Sequence, residues 1–113
     1  MPPFDQTHKQ ALELLGWLFL RNDQIVKARK LFEALARLSP GDVRMLRSLA
    51  YACLLSGDHG RALELCAEAI ALSGDSVEPG VFLVRARALH ALGRREETRE
   101  AVQRFITLRS HTA

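Results

Sequence analysis

Ile25-Val26-Lys27-Ala28-Arg29-Lys30-Leu31-Phe32-Glu33-Ala34-Leu35-Ala36-Arg37 and, 34 residues later, His59-Gly60-Arg61-Ala62-Leu63-Glu64-Leu65-Cys66-Ala67-Glu68-Ala69-Ile70-Ala71 carry one pattern twice. Ala28 returns as Ala62, Phe32 as Cys66, Leu35 as Ala69 and, one residue past the quoted stretch, Leu38 as Leu72. A third copy follows at a shift of 36, where Gly57 becomes Gly93, Cys66 becomes Val102, Ala69 becomes Phe105, Ile70 becomes Ile106 and Leu72 becomes Leu108. Small and large apolar residues recurring at a fixed period in this range mark a stacked helical repeat, in which each unit buries its apolar face only against its neighbours.

Outward from these stretches, apolar spacings of three and four residues delimit six helices. The first runs over 8–21, with Leu12, Leu15, Gly16 and Phe19 on one face, and Asn22-Asp23 interrupts it. Asp23 is placed to cap the second, 24–38, whose inner face is Ala28, Leu31, Phe32 and Leu35. Ser39-Pro40-Gly41-Asp42 ends this hairpin, because proline cannot continue the hydrogen-bond ladder and Asp42 offers a cap to the third helix, 43–56. Gly57 suits a left-handed helix end and Asp58 caps the fourth helix, 59–72. Ser73 to Pro79 is a longer connection that accounts for the two extra residues of the third period; Pro79 opens the fifth helix, Gly93 closes it, and the sixth spans 95–109. The expected fold is all-α: one domain over 1–113, with hairpins at 8–38, 42–72 and 78–109 stacked into a short right-handed solenoid with a concave groove.

Composition agrees. With 48 % apolar residues in 113, the chain can build a continuous core, and its 6 % aromatic content with abundant Ala, Leu, Arg and Glu suits helices in close approach. The net charge of +3 comes from 16 basic and 13 acidic residues that interleave, and the densest basic run, Arg94, Arg95 and Arg99, is diluted by Glu96, Glu97 and Glu100. That argues against nucleic acid, which calls for a concentrated basic face. Cys53 and Cys66 lack a CxxC spacing and read as buried thiols of a reducing compartment. Met1-Pro2-Pro3-Phe4-Asp5 has no basic start before an apolar run, and the apolar stretch 12–20 is about half of the ~20 residues a spanning helix needs. The expected location is cytoplasmic, with no direct membrane insertion.

Enzyme chemistry has no foothold. His8, His59, His90 and His111 are dispersed without an HExxH or paired-ligand spacing, so neither a metal nor a cofactor is expected, and no phosphate loop, nucleophile elbow or acid–base pair occurs. What remains is an apolar surplus. After the core is assigned, Trp17 and Leu20 on the first helix and Tyr51, Leu54 and Leu55 on the third are left over. The first helix of each unit lines the concave side of such a stack, so Glu13, Trp17, Leu20, Arg44, Arg47, Tyr51, Leu54, Leu55, Leu83, Arg87 and His90 share one groove, apolar in the middle with basic flanks. Trp17 and Tyr51 either pack against the next unit or anchor a partner. Leu54 with Leu55 points to binding, since adjacent leucines cannot both face inward.

Leu15-Gly16 and Leu49-Ala50, Ala28 and Ala62, and Pro40 after Leu38 resemble the tetratricopeptide repeat over roughly residues 8–110; the third unit departs, with Thr98 for the small alanine and Ser110 for the proline. Domains of this family that clamp the acidic C-terminal tail of large heat-shock chaperones need basic and amide groups on the first groove helix; Glu13 and Trp17 stand there instead, which argues against that role. More narrowly, Leu14-Leu15-Gly16-Trp17-Leu18, Ala34-Leu35 with Leu38-Ser39-Pro40, Arg85-Ala86, Leu92-Gly93 and Leu108-Arg109-Ser110-His111 resemble the YscY (SctY) family of type III secretion chaperones. The resemblance implies a non-catalytic chaperone that binds a small secreted protein of the YscX (SctX) type and, through that complex, contacts the export-gate protein of the SctV type. A homo-oligomer is expected without the client. Rival readings are a three-repeat chaperone for translocator or needle subunits, a scaffold or adaptor joining folded proteins, and a helical DNA-binding regulator. The stretch after the sixth helix holds no further polar helix to seal the stack, so Leu92, Val102, Phe105 and Ile106 are expected to offer a second apolar surface and the stability to depend on a partner.

Overall fold

The computed structural model describes residues 5–112; the N-terminal stretch read above as lacking a leader lies outside them apart from Asp5. Among the described residues there are six α-helices, α1 (Gln6–Arg21), α2 (Ile25–Leu38), α3 (Val43–Leu55), α4 (His59–Ser73), α5 (Pro79–Ala91) and α6 (Arg95–Thr112), with a single 3-10 turn at Gly74–Ser76. Each helix packs on the next, and α3 also touches α5. Extents of 49 × 28 × 22 Å give the elongated outline of a short solenoid.

The turns follow the repeat register. Asp5, Asp42 and Asp58 cap α1, α3 and α4, their side chains accepting from the backbone N–H groups of His8, of Arg44 and Met45, and of Arg61. Asp23 does not cap α2. It holds φ at 60°, the left-handed conformation that Gly57 and Gly93 adopt at the equivalent places, and Gln24 takes the cap position without a side-chain bond. Aspartate tolerates this region better than most residues, which is why the first unit manages without the glycine of the other two.

The larger core cluster runs from Ala28, Phe32 and Leu35 of α2 through α3 and α4 to Val81, Phe82 and Val84 of α5, and a smaller one joins Ala86 and Leu89 of α5 to Ala101 of α6. Phe32, Leu35, Met45 and Leu65 are fully buried, each worth about 1.5–3 kcal/mol of hydrophobic stabilisation. Gly16 makes this possible in the first hairpin: a Cβ there would sit 2.5 Å from Cε1 of Phe32, so the ring lies directly on the α1 backbone. Leu15, expected on the inner face, is exposed instead.

Candidate peptide-binding groove

Trp17, Tyr51 and Arg87 occupy one repeat position at shifts of 34 and 36, and the fold brings them into a row across α1, α3 and α5. The Trp17 and Tyr51 rings lie with centroids 5.6 Å apart and planes tilted by 34°, and the Arg87 guanidinium stands 5.9 Å over the Tyr51 ring. Trp17 also meets Phe32 edge-on, at 5.6 Å and 60°. The packing reading of these aromatics therefore holds, since each is anchored on its neighbours, and each is left only half-buried. Aromatic pairs of this geometry contribute about 0.5–1.5 kcal/mol beyond burial and hold the exposed ring face in a fixed orientation.

A second row, one turn earlier, is polar. Glu13 is buried and accepts from Arg44 Nε at 2.9 Å, a charge-assisted bond that joins α1 to α3, while Arg47 pairs with Glu78 at the approach to α5. Burial first, then the positive field of Arg44, holds the Arg47 guanidinium below its ordinary value, with Glu13 opposing. Around these groups lie two concavities that share Arg44. One, of about 290 Å³, is lined by Gln10, Glu13, Leu14, Trp17 and Arg44. The other, of about 420 Å³, is lined among others by Val43, Arg44, Arg47, Leu72, Glu78 and Val81.

The groove predicted from sequence needs revision at three positions. Leu54 is 6 % exposed and belongs to the core, so it offers nothing to a partner; α3 has helices on several sides, and both Leu54 and its neighbour Cys53 find cover. Glu13 is likewise buried and serves α1–α3 pairing rather than forming an open acidic face. Leu14, absent from the prediction, is exposed and lines the smaller concavity; its place one helical turn before Trp17 is the signal that would have found it. Leu20 and Leu55 are half-buried, whereas Leu83, Arg87 and His90 are exposed along α5. Leu92, Val102 and Ile106 are exposed as expected, whereas Phe105 is partly buried against the core.

This arrangement offers a fixed aromatic face flanked by aliphatic Leu14 and Leu83 and by the cations Arg44 and Arg87, which suits an apolar side chain with a nearby carboxylate. Cys53 and Cys66 are free and buried, and desolvation raises both thiols, Cys66 to about 11, so neither is poised as a nucleophile. Among the described residues no three His, Cys, Asp or Glu side chains gather to hold a metal ion.

Stacked helical hairpins in a fixed register define a helical-repeat scaffold. A tetratricopeptide-repeat family model matches residues 8–77, and the chain belongs to that family. Among solved structures it is similar to a chain of the CopN-Scc3 complex, with a TM-score of 0.78 at 15 % identity over 90 % of this chain. It spans 59 % of the length of that chain, and the likeness is one of fold. No curated protein matches the sequence.

Proposed function

We propose that this protein is a cytoplasmic chaperone of type III secretion that captures a small secreted protein of the YscX (SctX) type and, through that complex, meets an export-gate protein of the SctV type. The observation that carries the reading is the row Trp17, Tyr51 and Arg87, in which two half-buried rings and a guanidinium hold one another in place. Support comes from the sequence resemblance around Gly16-Trp17-Leu18 and from sharing a fold with a chain of a complex named for two components. Preorganisation matters because a client that orders on binding loses conformational entropy, and a rigid groove adds little further cost. The reading involves no catalysis, no nucleic acid and no membrane insertion; no helix among the described residues is long and apolar enough to cross a bilayer. Without client the chain self-associates.

The test is co-expression with a small secreted protein of that type. The native chain should keep it soluble and gain thermal stability from it, whereas Tyr51→Ala with Leu83→Asp should leave it insoluble while far-UV circular dichroism stays native. A client equally soluble with the variant refutes the groove. Retention of a translocator or needle subunit instead moves the client assignment to the rival chaperone class.

A further inference from the structure

The repeat register says which exposed apolar residues are idiosyncratic and which belong to the repeat. Leu38 and Leu72 are exposed in both the first and second units, so their exposure is a property of the repeat itself. Leu15 and Leu18 on α1 are different. They are 39 % and 45 % exposed, whereas their equivalents on α3, Leu49 and Ala52, are 3 % and 0 % exposed; on α5 the equivalents are the half-buried Arg85 and the fully buried Ala88. With Ala11 they form a stripe at spacings of three and four residues on the side of α1 that faces away from α2.

The opposite end shows the complementary defect. Val102 of α6 corresponds to Phe32 of α2 and Cys66 of α4, which are 0 % and 1 % exposed, and Cys66 has the Val81 carbonyl of the following helix against it; Val102 is 40 % exposed and Ile106, one turn on, 50 %. One end of the stack thus carries the face that receives the second helix of a preceding unit, and the other carries the second-helix face itself. At the first junction the contact between units is also polar, whereas at the second the same positions hold Leu63, Leu92 and Arg94. Arg29 of α2 crosses to the next unit, donating to Ser56 Oγ at 3.1 Å and to Asp58 Oδ2 at 2.8 Å. Its counterpart on α6 is Arg99, whose Glu96 contact is exposed and 3.9 Å long, and the counterparts of Ser56 and Asp58 in the first unit are Asn22 and Gln24, with Asp23 between them.

We infer that the chain stacks on copies of itself head to tail, α6 of one copy lying on the outward face of α1 of the next as α2 lies on α3, with Arg99 reaching the Asn22–Gln24 turn. The two faces are different surfaces, so the contact is heterologous and continues the solenoid from copy to copy without closing. It uses neither Trp17, Tyr51 nor Arg87 and is independent of what the groove binds.

The experiment exploits the two unlike ends. For the native chain, sedimentation should give a mean mass that rises with concentration and reaches no plateau. Leu15→Glu with Leu18→Glu removes one end and Val102→Glu with Ile106→Glu the other; each variant alone should run near the single-chain mass of 12.6 kDa. An equal mixture of the two should form a species of about twice that mass and nothing larger, because one intact end of each kind remains. Should either glutamate pair lose helical signal, the corresponding alanine pair makes the same comparison. A native chain that stays monomeric at every concentration overturns the inference, as does an α6 variant that still dimerises by itself, which would mean that α1 pairs with α1. A mixture that remains monomeric overturns it too.

Discussion

Gly16→Ala sets two effects of opposite sign against each other. Alanine in a helix interior is favoured over glycine by about 0.8–1.0 kcal/mol, so a helix-propensity argument predicts a gain. The structure predicts a loss. The new Cβ would lie 2.5 Å from Cε1 and 2.6 Å from Cζ of Phe32, and that ring is fully buried, so it must move by close to an ångström within a packed core. Overpacking of this kind costs about 1–3 kcal/mol, and with the ring also seated against Trp17 the upper half of that range applies. The net expectation is a loss of about 1–2 kcal/mol, or roughly 5 °C in Tm per kcal/mol. Urea unfolding followed by fluorescence of Trp17, the single tryptophan, reads both the stability and the displaced ring. The second and third units carry the compensation in their own sequence: where the first pairs Gly16 with Phe32, they have Ala50 with Cys66 and Ala86 with Val102, a larger residue on one helix against a smaller one on the other. Phe32→Val alone should cost on the order of 2 kcal/mol, and the double variant should lose less than the sum of the two by about 1 kcal/mol or more. A midpoint that rises for Gly16→Ala, or strictly additive losses, would refute the close approach of α1 to Phe32.

Two further outcomes follow from the turns. Asp23→Gly restores the residue that the other units use at the left-handed position and should stabilise the protein by about 0.5–1 kcal/mol in the same urea assay, whereas Asp23→Ala should destabilise it. For Asp58, the bond from Arg29 first and the Arg61 backbone N–H second hold the carboxyl below its ordinary value, so its contribution is complete above the unfolded value and is lost as the pH falls through the lower folded one. Asp58→Asn should therefore cost a few tenths to about 1 kcal/mol at neutral pH, a figure reduced for the 43 % exposure of the side chain, and that deficit should shrink on acidification below about pH 3.9, as urea midpoints at the two pH values would show.

The fold was legible because the 34-residue period repeats small residues at Gly16 and Ala50 and at Ala28 and Ala62, and helix ends marked by Pro40, Gly57 and Gly93 leave few places for a boundary to fall. The row of Trp17, Tyr51 and Arg87 was also within reach, since one repeat position read in three units places one side chain per unit on the same face. Leu54 was misread for a reason that the sequence does not hold. Subtracting core positions assumes that every helix buries the same arc, yet α3 buries eight of its thirteen residues whereas α1, sixteen residues long, buries only Glu13 and Gly16. The period is identical in both helices; what differs is the number of helices around each, and that is fixed by position in the stack.

That same inequality decides what an exposed leucine means here. On α3 an apolar residue in excess of the amphipathic face is simply more core, because a neighbour is present on each side to receive it. On α1 and α6, which among the described residues pack chiefly on one helix each, an apolar residue at a position that is buried in the middle units is left uncovered. Leu14 and Leu18 show the division within one helix: they are four residues apart and both exposed, yet Leu14 lines the concavity with Trp17 and Arg44 whereas Leu18 stands in register with the fully buried Ala52. Charge at Leu14 should therefore weaken client capture and leave self-association unchanged, and charge at Leu18 should do the reverse. One surface effect common to both substitutions would mean that the groove and the open end are a single site.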